Sequence, residues 1–190
     1  MSPIDLKKRA PWLATAAVVA VTVLALRFEG RLWWCECGQL RWWISSPQSS
    51  HTSQHLLDPF SFTHVLHGVV FFWVLAWLLP GLSLPWRFSI STAVEAAWEI
   101  FENTSFVISR YRERTAALGY YGDTVVNSMG DVMACGLGFW VAMKLGFRWS
   151  LVLFAAIEIG LLITIRDSLV LSSLMLIFPI EAIKTWQMGG

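Results

Sequence analysis

Long apolar runs separated by short polar breaks organise this chain. A hydrocarbon core of about 30 Å takes roughly 20 apolar residues in a helix. By that measure the runs predict about six membrane spans, at approximately 11–26, 59–79, 86–108, 123–145, 149–165 and 168–183. The fold class expected is all-α: a polytopic transmembrane helical bundle forming one integral membrane domain over residues 1–190. The second run stops at Pro80-Gly81, a strong breaker pair. The sixth is short and carries Pro179 and Glu181 near its end, so a tilted, kinked or interfacial segment competes with a full span there. No internal repeat or low-complexity tract interrupts the pattern.

Polar residues enter these runs at helical spacing. His64 and His67 lie on the second, Glu95, Glu99, Glu102 and Asn103 on the third, and Asp123, Asn127 and Asp131 on the fourth. Positions three and four apart share a helix face, and a carboxylate in hydrocarbon costs a few kcal/mol or more. Three polar stripes in lipid must therefore face one another or water. With spans alternating in direction, all three stripes fall near one side, together with Arg166 and Asp167 at the end of the fifth span. At 1.5 Å rise per residue they share a slab roughly 10–15 Å deep.

Each residue also has a plainer reading. The two histidines would hydrogen-bond neighbouring helices, and Asn127 would do the same. Glu95, deepest of its stripe, calls for a histidine partner or a proton. Asp123 suits a helix N-cap. Asp131 and Glu158 would be structural partners, and Arg110, Arg112 and Arg114 a solvated loop. One shared polar cavity accounts for all of these positions at once.

Composition agrees with the membrane reading. The chain is 56% hydrophobic and 14% charged, against roughly 25% charged in soluble domains. A net charge of +1 with scattered basic residues argues against a nucleic-acid partner. Many of the 12 tryptophans sit near run ends, as in an aromatic belt. Lys7, Lys8 and Arg9 favour a cytoplasmic N-terminus, although the basic residues nearly balance across the two sides. No A-x-A site follows the first run, which favours an uncleaved signal anchor. Of the three cysteines, Cys135 reads as a small packing residue. A disulfide between Cys35 and Cys37 would be strained, and a soft metal on that C-x-C pair is the weaker alternative.

Residues 122–130 read G-D-x-x-x-N-x-x-G. With a preceding His, Glu and Arg, this resembles the VanZ-like membrane proteins. The corresponding residues are His64 or His67, Glu99 or Glu102, Arg110 or Arg112, Asp123, Asn127 and Gly130. The strings D-P-F-S-F-T-H-V-L-H-G at 58–68 and W-E-I-F-E-N-T at 98–104 more closely resemble an uncharacterised family of small bacterial inner-membrane proteins. These resemblances imply a bacterial inner-membrane location and no established reaction. Glu95, Asp131 and the Trp-rich first loop depart from the VanZ-like pattern, so antibiotic resistance is not carried over.

Three functions fit. The first is an intramembrane enzyme acting on, or a protein binding, an anionic envelope lipid. His64, His67, Glu99, Glu102, Asp123 and Asn127 would form the catalytic set, and His64, His67 and Glu99 would be the ligands of a divalent metal. Arg110, Arg112 and Arg166 would hold the anionic group. The second is a proton-coupled transport component, since Asp, Glu and His chains serve as proton relays. The third is a structural or assembly factor. Its small residues Gly130, Ala134 and Gly138 would admit a close helix. The expected partner is the bilayer, with an oligomer or another membrane protein left open. No G-x-S-x-G or H-E-x-x-H motif marks a reaction.

Overall fold

The computed structural model describes residues 3–189, which form helices and connecting loops without a strand. α1 (Pro3–Phe28), α2 (Ser61–Leu78), α3 (Leu84–Glu102) and the short α4 (Ser105–Arg114) come first. They are followed by α5 (Val125–Leu145) and α6 (Phe147–Ile165), then by α7 (Leu169–Ile177) and α8 (Glu181–Gln187). Gly146, at φ 74°, separates α5 from α6. That left-handed conformation suits glycine, which has no Cβ to clash with its own backbone.

Four helices are long and apolar enough to cross a membrane: α1 over Lys7–Phe28, then α2, α5 and α6. Four of the six expected spans coincide with these helices, and the other two do not meet this measure. The run predicted at 86–108 divides at Asn103 and Thr104. The Thr104 side chain accepts a hydrogen bond from the Val107 amide and starts α4 as a new helix. α3 itself carries Arg87, Glu95, Glu99 and Glu102. The run predicted at 168–183 breaks at Phe178–Ile180, around Pro179, into two helices too short to span.

The core is the pairing of α2 with α5. Both helices offer glycine where they touch. A Cβ on Gly68 would lie 1.9 Å from the Cys135 carbonyl oxygen, and one on Gly138 would lie 1.9 Å from the Val65 carbonyl oxygen. Only glycine admits backbones this close, and the dispersion attraction of closely packed backbones is what holds helices together in lipid. Val69, Phe72, Leu75, Phe139 and Ala142 pack below this crossing. α1 lies against α3, where the Ser89 hydroxyl donates to the Pro11 carbonyl at 2.6 Å. At the other end, Lys184 donates to the Glu113 carbonyl at 2.9 Å, which brings α8 back to α4.

Candidate functional site

The polar stripes predicted on three helices meet at His64. Its Nδ1 lies 2.5 Å from Glu95 Oε1 and 3.3 Å from Glu99 Oε1. Its Nε2 lies 3.9 Å from Asp131 Oδ2 on α5. His67, one turn on, places Nδ1 3.0 Å from Glu95 Oε2. Glu95 thus binds both imidazoles, as its deep position called for. His64, Glu95, Glu99 and Asp131 are all buried.

This cluster carries more acid than its partners balance. Every ion pair among the described residues joins a histidine to a carboxylate, and none involves Lys or Arg. Both oxygens of Glu99, and Oδ1 of Asp131, are buried without a hydrogen-bond partner. Two overlapping groups, His64–His67–Glu95 and His64–Glu99–Glu102, bring ligand atoms within 4.8 Å of one another. His64 belongs to both. The expected ligand set of His64, His67 and Glu99 is thereby divided between them.

Above the acids sits a hydrogen-bonded shelf. The Asn103 amide donates to Asp123 Oδ2 at 3.0 Å, and the Asp123 backbone N–H donates to Asn103 Oδ1 at 2.7 Å. Tyr120 donates its hydroxyl to Asp123 Oδ1 at 3.1 Å. Asp123 is thus a partner of Asn103 rather than the cap of α5. That cap is Thr124, whose hydroxyl accepts from the Asn127 amide. Asn127 does not join the acids directly. Its side chain donates to the His55 carbonyl at 2.9 Å and holds the first loop onto α5. Gly130 has the same use, because a Cβ there would lie 2.0 Å from the Leu56 carbonyl oxygen.

Asp58 closes the loop just before α2. It accepts from the backbone N–H groups of Ser53 at 2.7 Å and Phe60 at 2.8 Å. Burial pushes its carboxyl above the usual range, and these two amide bonds pull it back.

A cavity of about 520 Å³ opens beside the shelf, lined among others by Glu29, Arg31, Asn103, Ser105, Arg112 and Tyr121. Asn103 therefore borders the cavity while it bonds Asp123. Arg31 donates to the Tyr121 carbonyl at 2.6 Å, and the Arg112 guanidinium lies 4.7 Å from the Tyr121 ring centre. Of the three arginines expected to hold an anion, only Arg112 lines this cavity. Arg110 donates to the carbonyls of Leu176 and Ile177. Arg166 donates to the Trp186 carbonyl at 2.9 Å. Both tie the C-terminal helices in place. Arg31 was not among the expected residues, because its place in the first loop has no periodicity to connect it with α4.

The family described as "Protein of unknown function (DUF2585)" matches residues 26–189. A UPF0314 protein of Sphingopyxis alaskensis is 43% identical, over 96% of this chain and 97% of the relative. A UPF0314 protein of Paracoccus denitrificans is 42% identical, over 95% and 94%. One of Rhizobium meliloti is 40% identical, over 96% and 93%. No solved structure matches the chain. The VanZ-like resemblance of residues 122–130 gains no support from these matches, whereas the resemblance to an uncharacterised bacterial family agrees with them. The chain belongs to the DUF2585 family, whose bacterial relatives match it along nearly its whole length.

Proposed function

We propose that the chain is an integral protein of the bacterial inner membrane, with a cytoplasmic N-terminus, that holds a divalent cation at His64, Glu99 and Glu102 and acts on an anionic lipid headgroup. The observation that carries the cation is the pair of unpartnered Glu99 oxygens, buried beside His64 in a cluster without Lys or Arg. An uncompensated buried charge costs several kcal/mol. A divalent ion would neutralise two carboxylates and take up the free lone pairs of Glu99. Glu95, already bonded to both imidazoles, would orient the rings, as carboxylates behind metal-bound histidines do.

Such an ion, when bound, polarises a phosphoryl or carbonyl oxygen and lowers the pKa of water. The chain's own residues supply the rest. Arg31 and Arg112 present cationic groups at the cavity wall, suited to a phosphate or carboxylate. Asn103 connects that wall to Asp123 and the acids below. The exposed apolar flanks of α1 and α6, including Leu24, Ile159 and Ile163, would lie in the acyl chains.

The test is metal content of the detergent-purified protein after incubation with Zn²⁺, Mn²⁺ or Mg²⁺, beside Glu99→Gln and the His64→Ala/His67→Ala double variant. Loss of one ion per chain in folded Glu99→Gln, relative to the wild type, supports the site. Accumulation of one anionic lipid in a deletion strain, reversed by the wild-type chain and not by Glu99→Gln, supports the reaction. If Glu99→Gln and the double variant retain all the metal the wild type holds, the cation reading fails, and proton transfer or helix packing is left to explain the cluster.

A further inference from the structure

The loop between α1 and α2 contains a second group of ligands that the His64 cluster does not use. Cys35 and Cys37 form a C-x-C pair, and His51 and His55 lie one helical turn's spacing apart in the same loop. All three cysteines of the chain are free thiols. Cys35 Sγ lies 3.4 Å from His51 Nδ1, and Cys37 Sγ lies 4.0 Å from His55 Nε2. The two imidazole centres are 5.4 Å apart. One donor atom from each of the four residues falls within 4.8 Å of the others. Zinc–sulfur bonds near 2.3 Å and zinc–nitrogen bonds near 2.0 Å put tetrahedral ligand atoms roughly 3.3–3.8 Å apart. The Cys35–His51 pair is already at that spacing, and the Cys37–His55 pair needs only a small contraction.

We propose that Cys35, Cys37, His51 and His55 form a tetrahedral zinc site that clamps the first loop over the polar cluster. Two thiolates with two imidazoles are a zinc donor set. Four protein ligands leave no open position, so the role is structural. The loop's hydrogen bonds show what the clamp holds. Leu32 and Trp33 accept from the amides of Val125 and Val126, and Ser53 accepts from the Thr124 amide. The His55 carbonyl accepts from Asn127. The ligands therefore lie next to the segments that close the N-terminal end of α5.

Metal uptake would require one local rearrangement at His55. The Arg41 amide donates to His55 Nδ1 at 3.2 Å. Ligation through Nε2 moves the ring proton to Nδ1 and gives up this bond, so metal uptake shifts the backbone at Arg41.

Cobalt(II) titration of the reduced, detergent-purified protein tests the site independently of the His64 cation, because a thiolate-to-cobalt charge-transfer band arises only from sulfur ligands. One equivalent is expected to produce that band with the visible bands of a tetrahedral centre, and Zn²⁺ is expected to bleach both. Cys37→Ser, a change at an exposed side chain, should at least halve the charge-transfer band, because one of two thiolates is lost, while helix content and monodispersity stay unchanged. His64→Ala should leave it in place. Absence of the band in folded wild-type protein, or a band of equal strength in Cys37→Ser, overturns the proposal.

Discussion

Glu95 and Glu99 stand one turn apart on α3 and meet opposite conditions. Glu95 satisfies two imidazoles, at 2.5 Å and 3.0 Å. Glu99 lies near one of them with neither oxygen hydrogen-bonded. Breaking a buried hydrogen-bonded pair leaves a group uncompensated and costs about 3–5 kcal/mol, whereas removing a buried carboxylate that accepts no hydrogen bond relieves the protein of its desolvation. Thermal unfolding in detergent with a chelator present should therefore move in opposite directions. Glu95→Gln is expected to lower stability by about 3 kcal/mol. Glu99→Gln is expected to raise it by about 1–3 kcal/mol, while abolishing the bound cation. A drop of similar size in both variants would show that Glu99 has a structural partner, contrary to its open oxygens.

At the scale of elements, the close approach of α2 and α5 sets where the stripes meet. Gly138→Val would drive a side chain against the Val65 carbonyl, where even a Cβ has 1.9 Å. Overpacking of this kind costs at least about 1–3 kcal/mol. The expected outcome is a lower thermal midpoint and weaker cation binding, because α5 seats α2, which carries His64, against the carboxylates of α3. Gly136→Ala, on the same helix, meets only Phe88 at 3.4 Å. Better helix propensity makes it neutral or stabilising by up to about 1 kcal/mol. Equal midpoints for the two variants, by circular dichroism, would remove the crossing from the account. The expected small-residue stripe at Gly130, Ala134 and Gly138 is divided in use: Gly138 receives α2, and Gly130 receives the loop at Leu56.

For the whole molecule, the proposed topology makes the first loop periplasmic, since α1 separates it from Lys7, Lys8 and Arg9. Cys37 is exposed, whereas Cys35 and Cys135 are buried. A membrane-impermeant maleimide should label Cys37 in intact spheroplasts, with labelling increased by a strong chelator and absent in Cys37→Ser. Labelling confined to inverted vesicles would reverse the orientation. The cluster of α4, α7 and α8 would then change sides with the loop, because Arg110 and Lys184 bind those helices to one another and Arg31 of the loop donates to the Tyr121 carbonyl that follows α4.

The positions of the polar stripes were legible in the sequence because hydrophobicity and helical period are properties of a single segment. A His, Glu or Asp in an apolar run is conspicuous through its desolvation cost, and spacing of three or four puts it on one face. His64, Glu99 and Asp131 could be assigned to a common site on those grounds. Two of the predicted spans were less secure, since run length does not register a new cap at Thr104 or the break around Pro179. Partner choice was not legible. Long arginine side chains reach carbonyls far along the chain, so Arg110 and Arg166 bond carbonyls of the C-terminal helices while Arg31 lines the cavity beside Arg112. Cys35, Cys37, His51 and His55 lie in an irregular loop where no period links them. The sequence by itself determined the all-helical class, the apolar helices and the faces bearing charge, because each follows from local solvation and backbone geometry. Only the tertiary structure decided which charges touch, which stay unpaired and which loop residues converge, because Coulomb and hydrogen-bond energies depend on distances that local sequence does not set.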